Sequence, residues 1–218
     1  MLLIYLFAAL YLLDIGIHLF ACASRDRLML RRVSKCFLMP LLAVCYGLFA
    51  ANVSPLVLAA ILFGFAGDVV LLFRPRRFAF PAGMMAFATG HALYIASFWG
   101  KLIQSPEWYV LLFLSIVTIA AAGTLLHYLW KRMPKKLRAP SFVYMLVIGS
   151  MVSSSVLFAL YSAAPLRWLA AIGGVLFAIS DTTLSIDAFH HPIRYRNVIV
   201  MSTYILAQSL IVSALAFS

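Results

Sequence analysis

Eight apolar runs, separated by short polar connectors, fill almost the whole chain. A bilayer core about 30 Å thick is crossed by roughly 20 apolar residues in helical form, and every run comes near that length. The second run is the shortest. The runs are Leu2 to Ala23, Cys36 to Ala51, Pro55 to Phe73, Ala79 to Trp99, Trp108 to Trp130, Phe142 to Ala163, Arg167 to Ile186 and Val198 to Phe217. They predict an all-α, polytopic membrane protein with about eight transmembrane helices.

The composition points to the same class. The chain is 65% hydrophobic and 11% charged, whereas soluble domains are about 45–50% apolar and about 25% charged. No polar stretch is long enough for a soluble domain, so we expect residues 1–218 to form a single transmembrane domain. The opening run lacks a small-residue cleavage pattern, and we expect a retained helix there, not a signal peptide.

The basic residues predict the orientation. Fifteen of the 17 Lys and Arg residues lie in or beside odd-numbered connectors, and two lie in even-numbered ones. Because basic connectors stay in the cytoplasm, we expect the odd connectors there and both termini on the outer side. The expected location is the bacterial inner membrane. Topology thus explains the formal net charge of +11, and no nucleic-acid partner is predicted.

Two aspartates lie inside the apolar runs. Asp68 and Asp181 are each five residues from the cytoplasmic end of their run, which places both roughly 8 Å inside the same face. A carboxylate at depth costs about 2.5–3.5 kcal/mol, so it is either functional or a hydrogen-bonding link between helices. Two carboxylates in one low-dielectric pocket cannot easily both ionise, and we expect one acid and one base. That division suits acid-base hydrolysis.

Other polar side chains fall at similar depths on different helices. Lys35, Tyr144 and Tyr204 lie in the cytoplasmic half or at its edge, and His91 and Gln208 lie nearer to the midplane. Polar groups of several helices therefore converge on one side of the membrane.

A different pair of polar residues occurs on the first helix. Asp14 and His18 are four residues apart, so they share a helix face and are expected to hydrogen-bond. We favour a structural role for this pair over a catalytic one.

The two halves of the chain resemble each other weakly. Gly67-Asp68 is followed by Tyr94, and Ser180-Asp181 by Tyr204, at similar spacing. A parallel repeat of two four-helix halves would bring the aspartates to face each other. Chance explains the pattern equally well in a chain rich in Ala, Leu and Phe.

Three motifs together resemble the YhhN family. The first is Gly67-Asp68-Val69-Val70-Leu71-Leu72 with Phe87, Gly90-His91, Tyr94 and Phe98; the second is Gly173-Gly174, Phe177, Ser180-Asp181 and Leu184 with Tyr204 and Gln208; the third is Lys35 with Met39-Pro40-Leu41-Leu42. Cys36 stands where a proline is common in the family. The match extends over nearly the whole chain.

The resemblance implies an activity. Members are eight-helix membrane proteins, and characterised ones hydrolyse the vinyl-ether bond of lysoplasmalogen to a fatty aldehyde and glycerophosphoethanolamine or glycerophosphocholine. The expected substrate is thus a lysophospholipid within the surrounding membrane lipids, and no cofactor or metal is expected. The resemblance directs attention to Asp68 and Asp181 as catalytic residues. The expected substrate-binding residues are Lys35, His91, Tyr94, Tyr144, Tyr204 and Gln208.

The chemistry suggests a role for each aspartate and for Lys35. Protonation of the vinyl ether at carbon gives an oxocarbenium ion that water captures, much as paired carboxylates act in glycoside hydrolysis. We take Asp181 as the acid and Asp68 as the base, although the sequence does not fix which is which. Lys35 suits a lipid phosphate.

Two other classes stay open. A proton-coupled membrane transporter of a small solute or lipid would also bury Asp and His, but it predicts a polar track across the whole membrane, and the outer half is almost wholly apolar. A metal-dependent lipid hydrolase would need ligands gathered from separate helices. The absence of Gly-x-Ser-x-Gly and His-Glu-x-x-His motifs argues against serine lipases and zincins.

Overall fold

Eight α-helices make up the described part of the protein. The computed structural model describes residues 2–24, 26–72 and 76–218, with side chains from residue 79 onward in the last range. Within these ranges every regular element is a helix. The helices are α1 (Leu2–Cys22), α2 (Leu28–Phe49), α3 (Pro55–Val70), α4 (Arg76–Trp99), α5 (Trp108–Leu129), α6 (Lys135–Tyr161), α7 (Arg167–Phe189) and α8 (Arg196–Ala216). The all-α prediction is confirmed for the described residues.

Several helices extend beyond the apolar runs that predict them. α2 begins at Leu28 and not at Cys36, and α6 begins at Lys135 and not at Phe142. A helix continues into the interface after the hydrocarbon ends, because long basic side chains lay their stems along it and keep their charges in water. Hydropathy marks only the apolar part. As a result, Lys35 lies inside α2 and not at its edge.

The third helix is shorter than predicted. It ends at Val70, and Phe73, the predicted end, lies outside the described residues. Several arginines of the charge prediction also fall there. They are Arg25 and Arg74, together with the side chains of Arg76 and Arg77.

Length and composition make this an integral membrane protein. Five helices, α1, α5, α6, α7 and α8, are long and apolar enough to cross a membrane. α3 is apolar too, with 16 residues. On α5, the outward-facing side chains Leu112, Phe113 and Ile116 are each more than half exposed, as expected of a surface solvated by lipid.

α8 is packed on several sides and carries the largest share of the core. It pairs closely with α7 and also contacts α1 and α2, while α3 packs on α4 and α4 on α6. Gly173 allows the α7–α8 approach, because a Cβ there would lie 2.8 Å from the carbonyl oxygen of Ala207. Small residues at such crossings let the backbones of membrane helices come together.

Several of the described connectors gather at two ends. Those after α1 and α7 line one cavity, and Arg132, after α5, donates to the carbonyl oxygen of His190, after α7. We call this the basic end. At the opposite end, the Ile103 amide donates to the Tyr161 carbonyl at 3.0 Å, and Lys101 Nζ donates to the Ser218 carbonyl at 2.8 Å. Among the described residues, α5, α6, α7 and α8 therefore run in alternating directions.

Candidate active site

Asp68 stands at a junction of three helices. Its side chain lies near the end of α3 and is 3% exposed. Lys35 Nζ, from α2, lies 2.9 Å from Asp68 Oδ1, and the Tyr204 hydroxyl, from α8, donates to Oδ2 at 2.9 Å. A cation and a hydroxyl donor are the partners that stabilise an ionised carboxylate in a buried site.

Asp181 has a different environment. It lies on α7 and is half-buried. The Tyr144 hydroxyl, from α6, donates to Asp181 Oδ2. Within the described residues, no Lys, Arg or His forms a salt bridge with Asp181. The two aspartates thus differ in the partner that decides their charge.

Aromatic rings link the two carboxylates. The Phe177 ring lies between those of His91 and Tyr204, with centroid distances of 4.4 Å and 5.5 Å. The rings of His91 and Tyr144 are 6.2 Å apart. We call His91, Tyr144, Phe177 and Tyr204 the aromatic cluster. At one end of the cluster Tyr204 bonds to Asp68, and at the other end Tyr144 bonds to Asp181.

His91 is the polar centre of the aromatic cluster. It is 2% exposed, and neither ring nitrogen has a hydrogen-bond partner among the described residues. Buried imidazoles are normally hydrogen-bonded. His91 can therefore form a hydrogen bond with a molecule that enters the site.

Tyr94 and Gln208 form a second polar contact beside Tyr204. The Tyr94 hydroxyl donates to Gln208 Oε1 at 2.7 Å, and both residues are buried. A Cβ built on Gly64 would lie 3.5 Å from both Gln208 Nε2 and the Tyr204 hydroxyl, so these groups approach the same stretch of α3. Every residue of the predicted site is thus adjacent to the aromatic cluster or to one of the aspartates.

The predicted pairing of Asp14 with His18 is wrong. The His18 ring bonds to Ser34 Oγ at 2.8 Å through Nδ1 and to Cys22 Sγ at 3.4 Å through Nε2. Asp14 Oδ2 is buried without a partner among the described residues. Spacing on one helix places two side chains near each other, but the packing of α2 on α1 supplied a closer partner.

Sequence reasoning missed Ser34 and the role of Phe177 as the ring between His91 and Tyr204. Phe177 stands in the second motif, but its place between the two rings depends on how the helices pack, and Ser34 has no signal because serine is common in apolar helices. Within the part of the chain that is described, no three His, Cys, Asp or Glu residues are grouped so that they could hold a metal ion.

Comparison with known proteins identifies relatives of this chain. The chain is similar to bovine lysoplasmalogenase TMEM86A, with 28% identity over 71% of this chain and 62% of the relative. Human lysoplasmalogenase TMEM86B is 30% identical over 66% of this chain and 56% of its own length. The pig TMEM86B enzyme is 33% identical over 70% and 59%. The chain therefore spans less than two thirds of the length of these relatives. No solved structure matches it.

The model of the YhhN family matches residues 30–215. That range includes Lys35, both aspartates and the aromatic cluster. The resemblance carried by the motifs is confirmed, and the chain belongs to the YhhN family.

Proposed function

We propose that this protein is a lysoplasmalogenase-like hydrolase that cleaves the vinyl-ether bond of lysoplasmalogens. The products are a fatty aldehyde and glycerophosphoethanolamine or glycerophosphocholine. The observation that carries the proposal is the pair of aspartates, on α3 and α7, at the two ends of one aromatic cluster. Membership of the family and relatives named lysoplasmalogenases support the choice of substrate.

The partners of the aspartates support a division of roles. Asp68 is the base, because the Lys35 ammonium at 2.9 Å favours its charged form. Asp181 is the acid, because it has a tyrosine and no salt-bridge partner among the described residues, and a low-dielectric site disfavours an unpaired charge.

The reaction then runs in two proton-balanced stages. Asp181 gives its proton to the β-carbon of the vinyl ether, and the π electrons form the new C–H bond. Water attacks the resulting oxocarbenium carbon and loses a proton to Asp68, which leaves a hemiacetal. In the second stage Asp68 returns its proton to the glycerol oxygen as the C–O bond breaks, and Asp181 takes the proton of the hemiacetal hydroxyl. Aldehyde and alcohol leave, and both carboxyl groups regain their starting states.

The remaining polar groups position the reactants. The unpartnered nitrogens of His91 suit the attacking water or a glycerol hydroxyl, because a buried imidazole gains by a hydrogen bond. Tyr94 holds Gln208 by its carbonyl oxygen, which leaves the amide NH₂ to donate to substrate. The alkyl chain lies among the apolar helix faces.

The proposal includes the membrane arrangement. All eight helices span the bilayer as a single domain over residues 1–218, with the basic end in the cytoplasm of a bacterial cell and the termini outside. The sequential packing of α1 to α4 and of α5 to α8 is compatible with two four-helix halves.

The test is to measure aldehyde release by the purified protein in detergent. Matched lysophospholipids with an alkenyl or an alkyl chain at the same position are compared. We expect turnover of the alkenyl lipid alone, because only a vinyl ether can accept a proton at carbon.

Two results would contradict the proposal. One is cleavage of the alkyl lipid at a similar rate. The other is a folded protein that releases no aldehyde and instead moves protons or a solute across liposomes, which would favour the transporter.

A further inference from the structure

A cavity at the basic end is lined by charged residues that the proposed chemistry does not use. It has a volume of about 510 Å³ and lies where the end of α1 and the start of α2 face the α7–α8 connector. Arg31, Arg194, Arg196, Asn197 and Asp187 line it. The sequence explained these arginines by membrane orientation alone, but the structure gathers them around one space.

The cavity carries an excess of positive charge. Asp187 accepts from Arg196 Nη1 at 3.0 Å and from the Ile193 amide at 3.0 Å. This carboxylate therefore compensates Arg196 and holds the connector in place. Among the described residues, the Arg194 guanidinium donates only to the neighbouring Tyr195 hydroxyl, and the Arg31 guanidinium makes no hydrogen bond. Two of the three guanidinium groups thus have no anionic partner in this part of the protein.

The start of α8 adds to this positive field. Tyr195, which lines the cavity, has a left-handed backbone with φ of 60°, and the helix begins directly after it. The helix dipole places partial positive charge at this end, which favours anions. Arginine matches phosphate by its fork of donors.

The cavity is lined by residues of α2 and α7, the helices that also carry Lys35 and Asp181 of the proposed active site. Arg31 is one turn from Lys35 on α2, which is about 6 Å along the axis, and Asp187 is six residues from Asp181 on α7, which is about 9 Å. Lys35, which the sequence offered for the lipid phosphate, is already paired with Asp68 at 2.9 Å. The phosphate therefore needs another partner.

The dimensions of a lysolipid fit this separation. Seven bonds join the phosphorus of a lysoplasmalogen to the β-carbon of its vinyl ether, a span of about 8 Å for bonds near 1.5 Å. A phosphate at the arginines would bring the vinyl ether to the depth of the aspartates.

We propose that the cavity lined by Arg31, Arg194 and Arg196 binds the glycerol-linked phosphate of the lysolipid and so sets the depth at which its ether enters the site. This inference rests on the proposed function for the identity of the lipid, whereas the binding itself can be tested without turnover.

The experiment measures binding of a non-cleavable alkyl lysophospholipid to the purified full-length protein. The variants are Arg31→Gln and Arg194→Gln, and the matched control is Arg32→Gln, which removes the adjacent charge on α2 but does not line the cavity. We expect each cavity variant to bind roughly tenfold more weakly, since a hydrogen bond to a charged group is lost. The control should bind like wild type. Thermal unfolding checks that all variants fold, and Arg31→Lys replaces Arg31→Gln if that variant does not.

Competition distinguishes the sources of phosphate. Glycerophosphoethanolamine should displace the alkyl lipid at lower concentration than inorganic phosphate. Equal displacement by inorganic phosphate would overturn the lipid assignment in favour of a free-phosphate site.

The remaining outcomes separate this inference from the proposed function. Wild-type affinity in both cavity variants, or equal loss in Arg32→Gln, would overturn the cavity assignment even if aldehyde is released. Selective loss of binding in the cavity variants would support the site even if no aldehyde is ever detected, and in that case the proposed reaction alone would fail.

Discussion

Asp68 lies two residues before the end of α3 and Asp181 eight before the end of α7, and their surroundings differ as well. Asp68 is 3% exposed and holds both an ammonium and a hydroxyl. Asp181 is half-buried and receives a single tyrosine hydroxyl. One lysine is the main difference between the two sites. It teaches that neighbouring helices can give the same side chain opposite electrostatic surroundings.

The tyrosines do not follow a repeat either. Tyr94 and Tyr204 stand at similar spacing after Asp68 and Asp181, but Tyr204 bonds to Asp68, while Tyr94 bonds to Gln208. Asp181 takes Tyr144 from α6. The polar contacts in the two halves are therefore not equivalent, whatever the origin of the repeat.

The largest effect is expected from removing either carboxylate. Asp181→Asn cannot protonate carbon and Asp68→Asn cannot accept a proton from water, so each should lower aldehyde release by about 10²–10⁴-fold. The comparison predicts a further distinction in thermal stability. Asp68→Asn should lower it by leaving Lys35 unpaired, and Asp181→Asn should change it little. Equal destabilisation by both would show that the two sites are alike.

The next effect concerns the lysine. Lys35→Met leaves Asp68 buried without its cation, and breaking such a pair costs about 3–5 kcal/mol. The free energy of unfolding, measured in detergent, should fall accordingly. The double variant Lys35→Met/Asp68→Asn should recover most of that loss and remain inactive. A double variant no more stable than Lys35→Met would mean that the 2.9 Å contact contributes little.

A smaller effect is expected from helix packing on the Asp181 side. In Gly173→Ala the new Cβ would meet the Ala207 carbonyl oxygen at 2.8 Å, and overpacking of this kind costs about 1–3 kcal/mol. Gly123→Ala on α5 is the control, because nothing lies within 4 Å of its Cβ. The melting temperature should fall for Gly173→Ala only. Equal melting temperatures would contradict the close α7–α8 approach.

The smallest effect separates the two tyrosines. Tyr144→Phe removes the hydroxyl that donates to Asp181. Tyr204→Phe removes a donor to Asp68 but leaves Asp68 paired with Lys35. Loss of one hydrogen bond is worth about 1 kcal/mol, so we expect a several-fold lower kcat for Tyr144→Phe and a smaller change for Tyr204→Phe. Steady-state kinetics of the two variants measure this order, and a larger loss of kcat in Tyr204→Phe would contradict the difference between the two sites.

The sequence predicts the helices better than their contacts. Apolar length identifies eight helical segments, and membrane cost singles out Asp68 and Asp181. The start of α2 at Leu28 is missed because hydropathy identifies the residues that lie in hydrocarbon, and the helix extends beyond them. The Lys35–Asp68 and Tyr144–Asp181 pairs depend on how helices rotate against each other, which no single run encodes. His18 illustrates this, since its partner Ser34 comes from another helix.

In the proposed reaction a fixed carboxylic acid protonates the vinyl ether at carbon. Turnover of an alkenyl lysophospholipid in D₂O, with the aldehyde reduced as it forms, tests this most directly. We predict one deuterium at the carbon next to the former aldehyde, in a single configuration, because Asp181 delivers it from one face. Product without deuterium, or with equal amounts of both configurations, would mean that the proton does not come from a positioned acid.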